Sequence, residues 1–190
     1  MQPIGPLMIE HRLIERMITL IRQDFARIRD NVAVDEEFAF VDPVFIDTAV
    51  DFLRTYADRC HHGKEEGILF QALAGKELSA EHRKLMDELI EDHVRARNLT
   101  DKLARAKDNY LLAQKGALKE LLQYLEELSD FYPRHIEKED KHFFIPCMAY
   151  FSDPEKNELL RKMEEFDRLL IHEKYTNIVA CIENRKACRI

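Results

Sequence analysis

Residues 59–70 read RCHHGKEEGILF, and in them a histidine is twice followed, four positions on, by a glutamate: His61–Glu65 and His62–Glu66. On a helix such a pair lies on one face, one turn apart. An imidazole and a carboxylate are then offered to a single point, as a bound metal requires. The spacing alone is weak evidence. Eight histidines and 21 glutamates in 190 residues produce about one such pair by chance. Four occur, the others being His11–Glu15 and His135–Glu139. Helical phase separates them. Val50, Leu53 and Ala57 precede His61 on its face and Ile68 follows Glu65, an apolar stripe broken only by the His and the Glu. His62 instead shares its face with Asp51, Thr55, Asp58 and Glu66, which reads as solvated. His61 and Glu65 are expected to point inward, and His62 and Glu66 to point outward or stand behind the ligands.

His135 passes the same test, with Leu121, Tyr124, Leu128 and Phe131 behind it and Glu139 and Phe143 ahead. His93 sits among Leu85, Met86, Leu89, Ile90, Ala96, Thr100 and Leu103, and His11 lies on the stripe Leu7, Ile14, Ile18, Ile21, Phe25, Ile28. Each of these residues, taken singly, also has an ordinary reading as a hydrogen-bonded core histidine or a surface pair. The set does not. Four imidazoles and two carboxylates buried together without a metal would cost several kcal/mol of desolvation. Candidate metal ligands are therefore His11, His61, Glu65, His93, His135 and Glu139. Nitrogen and oxygen donors without thiolate argue against a structural zinc site or copper(I). Two carboxylates and four imidazoles suit a pair of iron ions, with manganese or zinc as substitutes.

Around these residues the chain reads as helix. Leu, Glu, Lys, Arg and Ala dominate, with only 5 Gly and 6 Pro. Periodicity and stop signals predict helices over about 6–31, 43–74, 79–107 and from 110–117 to 150, the last interrupted at Pro133. A fifth opens at Asp153-Pro154, carries Leu159, Leu160, Met163, Phe166, Leu170 and Ile178, and runs to about Asn184. The final RKACRI is expected to fray. Short connections imply an all-α, antiparallel up-and-down four-helix bundle with an additional C-terminal helix. Residues 1–152 would form the bundle. Residues 153–190 would pack on it or present a face for a homodimer. A lone inward histidine followed by a helix with His-x-x-x-Glu occurs twice, a faint internal repeat.

A net charge of −7 argues against a basic nucleic-acid surface. No apolar run approaches the roughly 20 residues needed to span a bilayer, and no secretory signal is read at the N-terminus. The expected compartment is the cytoplasm, with Cys60, Cys147, Cys181 and Cys188 as reduced thiols, because no CxxC pair occurs.

The segments EHRLIE around His11, RCHHGKEEGILF around His61 and Glu65, EDHVRAR around His93, and PRHIEKEDKHFFIP around His135 and Glu139 together resemble the hemerythrin-like HHE cation-binding family, over nearly all of residues 7 to 150. The resemblance implies a non-haem di-iron centre with an oxo or hydroxo bridge. It also implies reactions with dioxygen, peroxide or nitric oxide, including as a peroxide- or nitric-oxide-reactive oxidoreductase. Two departures matter. Oxygen-carrying hemerythrins have a second histidine where this chain has Arg97, and an aspartate five residues after the last histidine where this chain has Glu139 four after. Both point away from a stable oxygen carrier. Four His and two Glu are closer to the di-iron proteins resembling the iron–sulfur cluster repair group, although the cysteine-rich amino-terminal segment of that group is missing here. On this count each iron would have two imidazoles and an exchangeable position. Arg97 is either a cation beside the open site or, the reading we favour, a salt bridge at its rim.

Three functions follow as expectations: reaction with or sensing of a small oxidant, storage or donation of iron including cluster repair, and a helical interaction module with structural histidines. Tyr56, Tyr124 and Tyr132 are read as core packing rather than redox groups, and Cys60 as a small buried residue. His82, His142 and His172 are placed outside the ligand set. A kink at Pro133, which strands the Ser129 carbonyl, would either aim His135 or mark a helix boundary.

Overall fold

The computed structural model describes residues 2–35, 38–167 and 171–187. They are helical almost throughout, with no strand among them. Helix α1 spans Ile4–Val34. Helix α2 is one continuous run over 43–74, opened by Asp42, whose carboxylate accepts from the Val44 and Phe45 N–H groups at 3.0 and 3.1 Å, with Pro43 at the first position. Helix α3, Ala80–Leu111, is capped by Ser79, which accepts from the His82 N–H. Helix α4 covers 117–147 and begins after Gly116, whose φ of 86° suits glycine. These four long helices, joined by short connections, pack as the expected bundle, α4 lying most extensively against α3 and α1.

The tail departs from expectation. It forms two helices, α5 over Asp153–Phe166 and α6 over Ile171–Ala187. Asp167, just past the first, turns its carboxylate inward to Lys64 Nζ at 2.6 Å, and its N–H bonds back to the Met163 carbonyl. Leu170 and Cys188 lie outside the described residues. Leu159 and Met163 of α5, and Tyr175 and Val179 of α6, are buried against the bundle.

Pro133 does not interrupt α4. The Ser129 carbonyl, which has no N–H to accept from at position 133, takes the Arg22 guanidinium of α1 instead, at 2.5 Å. A cross-helix donor thus replaces the missing helical bond.

Three segments are π-helical: Leu53–His62, Glu65–Phe70 and Glu139–Phe143. All three lie at the two His-x-x-x-Glu motifs. Hydrogen bonding from i to i+5 widens the turn, so side-chain phase shifts from that of an α-helix.

The core divides into two apolar clusters. One includes Ile14, Ile21, Phe52, Leu103, Leu128 and Tyr132. The other includes Leu7, Leu69, Phe70, Leu89, Phe143 and Phe144. A buried layer of histidines and glutamates separates them. Among the described residues no helix is long and apolar enough to cross a membrane.

Candidate metal centre

All six predicted ligands meet in that layer, at 0 to 2% exposure. Glu65 of α2 and Glu139 of α4 form its middle. Glu65 directs one oxygen to His61 Nε2 and the other to His93 Nε2, each at 3.3 Å. Glu139 Oε2 faces His11 Nε2 at 3.1 Å and His135 Nε2 at 3.4 Å, and its Oε1 faces His93 Nε2 at 3.6 Å. Each carboxylate therefore touches imidazoles from more than one helix.

Behind the imidazoles stands a ring of carboxylates that runs once around the bundle. Glu10 of α1 holds His61 Nδ1 at 3.0 Å. Glu66 of α2 holds His93 Nδ1 at 2.7 Å. Asp92 of α3 lies 3.5 Å from His135 Nδ1, and Asp140 of α4 returns to His11 Nδ1 at 2.8 Å. Each helix thus offers a carboxylate, next in sequence to its own candidate ligand, to the histidine of the following helix. With Nδ1–H of His11, His61 and His93 donated outward, their Nε2 lone pairs face the centre.

Those inward atoms have no hydrogen-bond partner. His11, His61, His93 and His135 Nε2, and both carboxylate oxygens of Glu65 and Glu139, are buried and unsatisfied. Native interiors rarely leave polar atoms so, and eight gathered in one buried layer require a partner. A cation is the partner that satisfies imidazole lone pairs and carboxylates together, so the donors fit a metal site. Without a cation the cluster can balance charge only by taking up protons. Burial works against a charged His11, yet Asp140 and Glu139 raise its pKa to about 10. His93, against the same burial, is raised to about 11 by Glu139, Glu65 and Glu66. Burial alone would push Glu139 up, but His135, His11 and His93 hold it well below the usual carboxylate range.

His62 departs from its expected place. It is 1% exposed and lies inside the layer, stacked on His93 with ring centroids 3.9 Å apart. The phase reading assumed a uniform α-helix, whereas the π-helical turn brings two successive histidines, His61 and His62, to one side. Glu66 does stand behind a ligand, as one of the two readings allowed. Arg97 bridges the supporting carboxylates, its Nε 2.7 Å from Asp58 and its Nη2 2.6 Å from Glu66. That is the rim salt bridge expected of it.

Aromatic rings cover the imidazoles. Phe144 lies parallel to His11, Phe70 to His93 and Phe131 to His135, at 5.6, 5.9 and 5.5 Å. Phe70 and Phe144 belong to the GILF and HFFIP segments of α2 and α4. Tyr56 and Tyr132 are buried in the larger apolar cluster, and Tyr124 packs against it. His82 bonds the Tyr150 hydroxyl, and His142 is exposed. His172 meets Glu10 behind His61.

There the sequence reading missed a buried network. Lys64, with no exposed surface, pairs with Glu10 and Asp167, and Cys60 Sγ lies 3.8 Å from His172 Nε2. Burial first, then Glu10, pushes the Cys60 thiol up to about 12. Nothing in the apolar pattern marks Lys64. Its only signal is its place three residues after His61.

A cavity of about 250 Å³ opens over the other side of the layer, lined by His62, Tyr132, Ala96, Asp58, Arg59 and Arg97 among others.

The family model of the hemerythrin HHE cation-binding domain matches residues 2–144, and again residues 84–174, a second match that starts in α3. No curated protein and no solved structure was found to match the chain.

Proposed function

This chain belongs to the hemerythrin HHE cation-binding family, and from that premise we propose that it is a non-haem di-iron protein that binds, senses or reduces a small oxidant: dioxygen, peroxide or nitric oxide. His11, His61, Glu65, His93, His135 and Glu139 would hold the metals. The observation that carries this reading is the convergence of buried, unpartnered imidazole and carboxylate atoms on one layer. Bound there, an iron pair supplies electrons and exchangeable coordination positions for a small ligand.

The chain's own residues determine how such a centre behaves. Glu10, Glu66 and Asp140 fix the tautomer and ring orientation of His61, His93 and His11, which prepares these donors before a metal arrives. Phe70, Phe131 and Phe144 cover ring faces that water would otherwise reach. The cavity beside His62 and Tyr132 is large enough for a diatomic molecule or peroxide and too small for a bulky substrate. Cytoplasmic residence belongs to the same proposal, since an iron pair handling oxidants needs a reducing pool to restore it.

The test is rapid mixing of the anaerobically iron-loaded, reduced protein with each oxidant. Near-ultraviolet and visible bands that appear with at least one of the three, faster than free ferrous iron reacts, are the predicted outcome. Iron that leaves for an acceptor without such bands would favour storage or donation instead.

A further inference from the structure

We infer that His62 is a metal ligand, so that one metal takes three imidazoles, His62, His93 and His135, and the other takes two, His11 and His61. The inference rests on the di-iron reading and makes its two sites unequal. The donor atoms form two groups, each with its atoms within 4.8 Å of one another: His62, His93 and His135 in one, and His11, His61, Glu65 and Glu139 in the other. His62 Nε2 is buried and has no partner, as for the other four histidines. Its ring is nearly parallel to that of His93, with an interplanar angle of 10°, and its centroid is 5.7 Å from that of His135.

His62 is also supported from behind. Its Nδ1 lies 3.4 Å from Asp58, so this imidazole too has a carboxylate on its outer nitrogen. Asp58 and Glu66 are both held by Arg97. Arginine stays charged and has no lone pair to give a metal, so it cannot be a ligand itself. It instead braces the carboxylates behind His62 and His93, two neighbours in one group of donors. A packing histidine would need neither an unpartnered inward nitrogen nor a braced outer one.

The first test needs no variant. In the cobalt-substituted full chain, five hyperfine-shifted exchangeable imidazole N–H resonances are expected. Four would overturn the inference while leaving the two-metal reading intact. The second test counts iron. The wild type should keep two irons per chain through gel filtration in mild chelator and give two Mössbauer doublets of equal area. His62→Ala should hold one iron about tenfold or more weakly and lose the doublet pair, and added imidazole should restore both. His62→Ala with two tightly held irons and an unchanged spectrum would overturn the inference. If it does not fold, His62→Gln, closer in size, is read the same way. A wild type that binds no metal would fail the di-iron reading itself, a different result from either.

Discussion

Asp140 illustrates how the site is built from single residues. Its carboxylate orients His11 and is also held by Arg12. Asp140→Asn keeps the size and removes the charge, so metal affinity should fall about 10- to 100-fold with the helical fold retained. Equilibrium titration with ferrous iron measures this. Lys64→Met leaves Glu10 buried beside His61 without its cation. Breaking such a pair should cost about 3–5 kcal/mol, read from denaturant unfolding of the metal-free chain. A loss within 1 kcal/mol would mean that water reaches Glu10. The burial of the six candidate residues in one layer was legible because histidine is rare on an apolar stripe. Their supports were not, because Glu10, Asp92 and Asp140 look like ordinary surface carboxylates. Only the folded bundle shows that each sits beside one ligand in sequence and backs another across a helix interface.

Among the elements, α4 makes the sharpest prediction. Arg22 supplies the bond that Pro133 denies to Ser129. Arg22→Ala should cost about 1–2 kcal/mol, and clearly less when Pro133→Ala restores the helical N–H. A double-mutant cycle measures the coupling, and equal costs in both backgrounds would contradict it. Caps such as Asp42-Pro43 and Ser79 made the helix starts readable, since their chemistry is local. The expected break at Pro133 did not occur because its remedy lies on another helix. The π-helical turns were unreadable for a related reason. An apolar stripe averages over many residues, whereas one widened turn re-aims a single side chain, as it does His62. The pair of Asp167 with Lys64 was hidden likewise, because the two are 103 residues apart in sequence.

At the scale of the molecule, two apolar clusters enclose one polar layer, and the charge of that layer governs stability. In the metal-free chain His11 is raised from 6.5 to about 10. A raised pKa contributes stability that is fully present below 6.5 and is lost as pH rises through about 10. The metal-free chain should therefore lose stability between neutral pH and pH 10, by thermal or denaturant unfolding. The metal-loaded chain should be more stable and nearly flat over that range, because the imidazoles then carry metal rather than protons. The bundle as a whole was legible from periodicity and short connections; the separation of the donors into two unequal groups was not. The most direct test of the account is metal analysis of the full chain after anaerobic iron loading and exhaustive desalting. It predicts about two iron ions per chain, falling below one in His61→Ala. A folded chain that retains no iron, with an unfolding temperature unchanged by adding it, would contradict the account.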